Sequence, residues 1–264
     1  MNRAFERAVR QGVAAVAVMA AICSPLRADD FHIDNKLHPG DKSDPIETTT
    51  LFASGRVYDF MKTPEETIIL DPTHDLIVIL DPDRRLKTQI TTGDVSTQIQ
   101  KLHEAAKNHP KESVRDSAAA KFAESVDPET GELKLTNKWM QYVVKSKAPE
   151  RPQVARQYAD AADWLAQLNA LLNPPSLPFP RLALNRVLRE RQELPEKITL
   201  TLTPEGRHKP VVKWSEHTIL TGLSQRDRQR IDTAGQQMHT FDDVPFDRYH
   251  RVEEQAATDA NPKR

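Results

Sequence analysis

Five short apolar runs follow one another at nearly even spacing between residues 47 and 90. Each gap places glycine or proline where a tight reversal needs a positive or a preset φ; the gaps are Ser54-Gly55, Thr63-Pro64-Glu65, Asp71-Pro72-Thr73 and Asp81-Pro82-Asp83. Short strands joined by such turns are typical of an antiparallel β-meander. The fourth run, residues 76–80, has no polar alternation, so it predicts a strand buried on both faces and a cover on each side of the sheet.

Segments with helical periodicity follow the meander and are the predicted cover. Apolar residues recur at three- and four-residue steps in residues 94–108, 111–125, 152–172 and 181–192. Ser224 with Asp227 resembles a capping box and predicts a more polar helix that ends near Met238. Residues 132–147 predict a strand pair or an irregular strand, and alternation around residues 198–219 predicts a C-terminal β-hairpin. The predicted fold class is α+β: an antiparallel β-meander sheet packed against several amphipathic helices, with this hairpin as a candidate extension of the same sheet.

The first 28 residues have the three parts of a secretory signal peptide. Arg3, Arg7 and Arg10 are basic, residues 12–23 are apolar, and Leu26-Arg27-Ala28 is a small-residue cleavage site. An uncleaved membrane anchor is the alternative, but an apolar helix of this length spans only about 18 Å of a hydrocarbon core of about 30 Å. We therefore predict cleavage after Ala28, export to the periplasm or the extracellular space, and no transmembrane span in the mature chain.

Cysteine usage and charge exclude several classes of protein. The single cysteine, Cys23, lies in the apolar part of the signal peptide, so the mature chain would have no thiol. Acylation of Cys23 is an alternative, but Ile22 stands where lipoprotein processing requires a small side chain. The chain has 37 basic and 38 acidic residues, of which the signal peptide takes four and one, leaving a net charge of −4. A nucleic-acid-binding protein would have a basic excess, so no nucleic-acid partner is predicted.

The mature chain is predicted to contain one main domain. Residues 29–45 are charged and rich in turn formers, which indicates an extended lead-in. Residues 46–239 form the single α+β domain, with the proline-rich segment 173–180 as a candidate sub-boundary. Residues 240–264 have the composition of a largely disordered tail.

The search for chemistry yields three weak candidates, Asp71, Asp81 and Asp83, at the turns of the meander. Neighbouring hairpin tips could bring carboxylates together for calcium binding or glycoside hydrolysis. Asp-Pro is also a common opening of a type I turn, and we favour this structural role. His103-Glu104 begins like a zinc-protease motif, but Lys107 occupies the position of the second ligand. No catalytic residue, metal site or cofactor is therefore predicted.

A family resemblance covers about a fifth of the chain. The strands Glu66-Thr67-Ile68-Ile69-Leu70 and Leu76-Ile77-Val78-Ile79-Leu80, with the turn Asp81-Pro82-Asp83 and the helices that follow, resemble the periplasmic lipoprotein-carrier (LolA/LolB-like) superfamily. In that superfamily a curved antiparallel sheet wraps helices and leaves an apolar cavity for acyl chains. The resemblance implies a binding or carrier role without catalysis.

Three functions are compatible with these patterns. The leading hypothesis is an exported, non-enzymatic binding or envelope-associated protein whose partner is an apolar small molecule, a lipid or an envelope protein. A secreted hydrolase that uses Asp71, Asp81 and Asp83 is the first alternative. A structural interaction module, built on the segment from Pro174 to Pro180 and on the tail, is the second.

Overall fold

The computed structural model describes residues 30–40, 43–174, 176–203 and 209–249. The predicted signal peptide and residues 250–264 of the predicted tail lie outside the described residues. The strands are β1 Phe31–His38, β2 Ile46–Ala53, β3 Arg56–Lys62, β4 Glu65–Asp71, β5 Leu76–Asp81, β6 Leu86–Thr91, β7 Ala123–Val126, β8 Leu133–Thr136, β9 Met140–Lys147, β10 Leu194–Leu202, β11 Val211–Thr221 and β12 Asp242–Asp243. The α-helices are α1 Thr92–Lys107, α2 Glu112–Ala119, α3 Pro152–Leu172, α4 Phe179–Arg191 and α5 Gln225–Thr240, and a 3₁₀ turn covers Pro72–His74.

All twelve strands belong to one open sheet in the order β12-β6-β5-β4-β3-β2-β1-β11-β10-β9-β8-β7. Every pairing is antiparallel except that of the short β12 with β6. The predicted meander is confirmed as β2 to β6, and the C-terminal hairpin β10–β11 extends the same sheet through β1. The α+β fold class is therefore confirmed.

Strand β5 is buried on both faces, as its unbroken apolar run predicts. Ile77 and Ile79 pack on the side that carries α1 and α3. Val78 and Leu80 point to the opposite side, where they pack with residues of α5 such as Ala234. We call these two sides the α3 face and the α5 face. The sheet thus has helices on each side of its most apolar strand.

Helix α4 covers the other end of the sheet on the α3 face. Its residues Leu184, Val187 and Leu188 pack against inward side chains of β8, β9 and β10. Ile198 of β10 stands directly opposite Ser215 of β11, which places this cluster on the same face as α3. Strands on both sides of the proline-rich segment 173–180 therefore share one sheet.

The segment read as an extended lead-in contains β1. This strand pairs with β2 along one edge and with β11 along the other, so it joins the meander to the C-terminal hairpin. Its inward residues are Phe31, Ile33, Asn35 and Leu37. The polar Asn35 interrupts the apolar alternation, and the pattern consequently failed to predict a strand.

Two further boundaries differ from the sequence predictions. Helix α2 ends at Ala119, because Ala120 adopts a left-handed conformation with φ 46°, and part of the predicted helix is instead β7. The predicted tail begins with structured residues, since Phe241 and Tyr249 are buried and Asp242–Asp243 pairs with β6. Spaced aromatic side chains dock this polar segment on the sheet, and composition alone underestimates their effect.

Candidate functional site

Helix α3 lies on the sheet through Val154, Ala161 and Leu168 and leaves a cavity along each flank. The first cavity, about 320 Å³, lies between α3 and strands β1, β2, β3 and β11. We call it the β1 cavity. The second, about 510 Å³, lies toward β4 and is called the β4 cavity. Phe52 and Ala161 line both cavities, so the two spaces are neighbours under one helix.

One wall of the β1 cavity is apolar. Ile33, Leu37 and Ile46 from the sheet face Ala162 and Leu165 from α3. Leu37 is 42% exposed although it lines the cavity, so the space opens to solvent beside it. An apolar molecule in this space would be shielded from water by side chains of both layers.

The opposite part of the lining is a row of polar side chains on four adjacent strands. They occupy inward positions that apolar residues usually fill, and they are Asn35, Thr48, Thr50, Asp59, Ser215 and His217. Strand register makes them neighbours, because Asn35 stands opposite both Thr48 and His217. Thr50 stands opposite Asp59 on the next strand. We call this row the polar row.

Hydrogen bonds connect the polar row and fix the direction of each donor. The Asn35 amide nitrogen donates to Thr50 Oγ1 at 2.9 Å and to Thr48 Oγ1 at 3.1 Å. The Thr50 hydroxyl in turn donates to Asp59 Oδ1 at 2.6 Å. Asn35 Oδ1 remains as an acceptor and lies 2.8 Å from His217 Nδ1, so this nitrogen must carry a proton.

His217 is the neutral member of the row. Burial, together with the positive charge of Arg181, lowers the pKa of His217 to about 3. Because Nδ1 holds the proton, Nε2 is an acceptor, and Ser215 Oγ donates to it at 2.9 Å. The chain of hydrogen bonds from Ser215 to Asp59 therefore has a single consistent direction.

The acidic end of the row is also perturbed. Burial raises the pKa of Asp59, while the hydroxyls of Thr50 and Thr48 and the distant charge of Arg230 oppose that rise. The Asp59 carboxyl group therefore keeps its proton to a higher pH than an exposed aspartate does.

Helix α4 contributes a cation to the same cavity. Arg181 donates from Nη2 to the Tyr158 hydroxyl at 3.0 Å and from Nε to Asn185 Oδ1 at 2.8 Å. Asn185 is fully buried and donates to Asp163 Oδ1 at 2.9 Å, which ties α4 to α3. Burial raises the pKa of Tyr158, so its hydroxyl stays protonated and neutral. Arg181 is thus held in position by two neutral groups.

Ser215, His217 and Asn35 have the order of a nucleophile, a base and an orienting group. In hydrolases this order lets an imidazole take the proton of a hydroxyl while a third residue fixes the tautomer. The same contacts also satisfy buried polar groups, which every folded protein must do. The low pKa of His217 makes it a weak base and favours the second role.

None of the predicted candidates Asp71, Asp81 and Asp83 lines either cavity, although Asp71 binds Arg56, a residue of the β4 cavity. Asp71 closes the β4–β5 turn, whereas Asp81 and Asp83 belong to the β5–β6 turn at the other end of β5. A six-residue strand separates the two turns by about 17–20 Å. Asp71 and Asp81 therefore cannot flank one substrate bond, which needs carboxylates within about 10 Å.

Local contacts explain Asp71 and Asp81 as turn residues. Asp71 accepts hydrogen bonds from Arg56 Nε at 2.6 Å and His74 Nδ1 at 2.8 Å. Burial would raise the pKa of Asp71, but the hydrogen bonds of His74 and Arg56 outweigh it and hold the pKa below the ordinary value. Asp81 accepts from the backbone and the side chain of Arg84 at 2.8 and 2.5 Å.

Comparisons with known proteins give no family for the chain. Protein-family models contain no match, and a search of curated proteins finds no matching sequence. In the described part of the chain, every helix is too short or too polar to cross a lipid bilayer. Within the same residues, no three histidine, cysteine, aspartate or glutamate side chains gather as ligands for a metal ion. The functional argument therefore rests on the geometry of the β1 cavity.

Sequence reasoning missed the polar row, although a signal for it exists. Polar residues interrupt the inward series of three strands: Asn35 follows Ile33, Asp59 follows Val57, and Ser215 and His217 precede Ile219. Such interruptions mark buried polar groups that need partners. Their meeting in one row depends on the β1–β11 pairing, which joins residues 182 positions apart.

Proposed function

We propose that the protein is an exported, non-enzymatic binding protein that holds a lipid-like small molecule in the β1 cavity. The observation that carries this proposal is a solvent-connected space with an apolar wall and a few convergent polar groups. Binding sites for small molecules usually have this character. The neighbouring β4 cavity offers further room along the same helix for a longer chain.

Two sequence features support the proposal. The basic, apolar and small-residue parts of segment 1–28 support export, because they match a secretory signal. The resemblance of the meander to the lipoprotein-carrier superfamily supports an apolar ligand held between a sheet and its covering helix. Detection of a new N-terminus at Asp29 in exported material would support the localisation, and retention of Met1 on all exported chains would contradict it.

Cavity filling tests the binding function directly. The protein expressed from Asp29 is heated with dodecanol, an uncharged probe, and its melting temperature is followed. A ligand at about 100 times its Kd stabilises the native state by about 2.7 kcal/mol, so we expect a clear rise in melting temperature. The double substitution Ala162→Leu with Ala166→Leu fills the β1 cavity and should abolish that rise.

Ala105→Leu is the control, because it makes one such replacement at an exposed position on α1. The control should respond to dodecanol as the parent does. Native mass spectrometry of gently purified protein provides a second readout through co-purified ligand. The binding function would be overturned if dodecanol never raised the melting temperature of the parent protein and the parent always purified without a ligand.

Ester hydrolysis at Ser215 is the second candidate function, favoured by the Ser215–His217–Asn35 arrangement. Ser215 Oγ would attack an ester carbonyl while its proton passes to His217 Nε2 and then to the departing alcohol. Water would release the acid from the serine by the same proton route. The weak basicity of His217 places this function behind binding.

A fluorophosphonate probe separates the two candidates. Hydrolase chemistry requires an adduct on Ser215, seen by intact mass and peptide mapping, that Ser215→Ala and His217→Gln both prevent. A protein that binds dodecanol but forms no adduct is a binding protein without this activity.

A further inference from the structure

We propose that the β1 cavity selects amphipathic molecules with a carboxylate head group, which the Arg181 guanidinium binds while the alkyl chain lies against Ile33, Leu37 and Leu165. The inference rests on the proposed function and adds the chemical class of the ligand. It is carried by the charge and the partners of Arg181 together with the apolar wall beside it.

Arg181 is a partly buried cation whose hydrogen-bond partners are both neutral. Within the described ranges, no aspartate or glutamate oxygen lies within 4.0 Å of its guanidinium. Two other arginines of α4 differ, since Arg189 pairs with Asp163 and Asp160, and Arg191 pairs with Glu193. A cation taken partly out of water without a counter-charge favours the binding of an anion.

The free part of the guanidinium suits a carboxylate. Nε and Nη2 are engaged, whereas Nη1 makes no hydrogen bond to any described residue. Charge-assisted hydrogen bonds from arginine to a carboxylate are among the strongest in proteins. The Tyr158 and Asn185 contacts hold the side chain in place, so little rotational freedom is lost on binding.

The groups around Arg181 do not cancel its charge. His217 is neutral and Ser215 is a hydroxyl, so neither repels nor neutralises an anion. Asp59 also lines the cavity, but its Oδ1 accepts from Thr50 and the cation that acts on its carboxyl group is Arg230 rather than Arg181. The net local charge at this end of the β1 cavity is therefore positive.

The apolar wall determines the rest of the ligand. A short carboxylate would leave Ile33, Leu37, Ile46 and Leu165 without contacts, whereas each CH₂ group of an alkyl chain buried there raises the affinity about four-fold. A cationic amphipath would be repelled by Arg181. An alkyl carboxylate satisfies both parts of the lining.

Calorimetry with four probes tests this selection. Dodecanoate, dodecanol, dodecyltrimethylammonium and acetate are titrated into the protein near neutral pH, each below its micelle concentration. We expect dodecanoate to bind about 10-fold or more tightly than dodecanol, as a charge-assisted hydrogen bond predicts, and acetate and the cation to bind far more weakly. Arg181→Gln should remove the preference for dodecanoate, so that dodecanoate and dodecanol bind with similar affinities.

Arg186→Gln is the matched control, because it removes the same charge from an exposed position on the same helix. It should retain the preference for dodecanoate. Arg181→Lys keeps the charge and should keep part of the preference. This result would show that replacing Arg181 does not by itself unfold the site.

Each other outcome overturns a defined part of the proposal. Equal affinities for dodecanoate and dodecanol in the parent would refute the head-group site and leave the binding function intact. Acetate binding as tight as that of dodecanoate would refute the role of the apolar wall. If neither dodecanoate nor dodecanol binds, the binding function itself is refuted.

Discussion

Polar side chains at inward strand positions need partners, and the partners decide whether such a residue weakens or supports the fold. An unpaired buried amide or hydroxyl costs about 1–3 kcal/mol. Asn35 avoids this cost because its amide nitrogen reaches two threonine hydroxyls and its oxygen reaches His217. Each residue of the polar row is therefore tied to at least one other, and single replacements should affect the whole row.

Replacement of His217 should change the dependence of stability on acid. The native pKa of about 3 lies below the ordinary value of about 6.5. Between these pH values the unfolded chain therefore binds a proton that the native chain does not bind. Below about pH 6.5 this residue should therefore cost the parent about 1.4 kcal/mol of unfolding free energy for each pH unit, down to about pH 3. His217→Gln should remove that part of the slope, as measured by urea unfolding across this range.

Other groups near His217 also titrate and require a difference measurement. The raised pKa of Asp59 contributes stability at low pH that is lost as pH rises through its folded value, which is opposite in sign to the effect of His217. Subtracting the parent and variant curves isolates His217. His239→Gln makes the same replacement at an exposed position and controls for the substitution itself. Identical slopes in parent and His217→Gln would contradict the neutral buried state.

Thr50 links Asn35 to Asp59 through hydrogen bonds, and its hydroxyl group should contribute more to the free energy of unfolding than its methyl group. Thr50→Val keeps the shape but leaves both partners short of a hydrogen bond, so we expect a loss of about 1–3 kcal/mol in unfolding free energy. Thr50→Ser keeps the hydroxyl and should lose less. A valine variant as stable as the serine variant would show that the hydrogen bonds contribute little.

At the scale of elements, the start of α5 offers a clear energetic test. Ser224 Oγ accepts from the Asp227 backbone nitrogen at 3.1 Å, and the Asp227 carboxylate accepts from the Ser224 backbone nitrogen at 2.9 Å. This reciprocal pair is the capping box that the sequence predicts. Ser224→Ala should cost about 0.5–2 kcal/mol in urea unfolding, because it removes the cap.

Ser224→Asn is the matched replacement, since asparagine also caps helices well. It should restore most of the stability that Ser224→Ala loses. Equal losses in the two variants would mean that another contact of Ser224, rather than the cap, stabilises this end of α5.

Elements that are specified by nearby residues could be predicted from the sequence. Strands β2 to β6 alternate with turns that contain proline or glycine, and α3 keeps an apolar stripe along its whole length. Strand β7 could not be predicted, because all four of its residues are exposed and only its pairing with β8 defines it. Strand β1 was missed for a related reason, since Asn35 is explained only by partners on other strands.

The whole molecule depends on contacts that are remote in sequence, and the candidate site is the clearest case. Strand β1 pairs with β11 across more than 170 residues, and this pairing brings His217 to Asn35. Arg181 belongs to α4, which begins at the end of the proline-rich segment. No local pattern contains this assembly, so the chemistry of the β1 cavity could not be predicted from motifs, whereas the sheet around it largely could.

Residues 241–249 also depend on contacts remote in sequence, because they pass from the α5 face to the α3 face around the β6 edge of the sheet. Tyr249 is fully buried and its hydroxyl donates to Glu66 Oε2 at 2.8 Å, and Phe241 is buried against α5 and the sheet.

A chain that ends at Thr240 should be less stable than one that ends at Tyr249, by about 1.5–3 kcal/mol for each of these aromatic side chains. Urea unfolding of the two truncated proteins measures the difference. Tyr249→Phe in the longer chain isolates the hydroxyl and should cost only about 0.5–3 kcal/mol. Equal stability of the two truncated chains would mean that residues 241–249 contact the sheet without stabilising the fold.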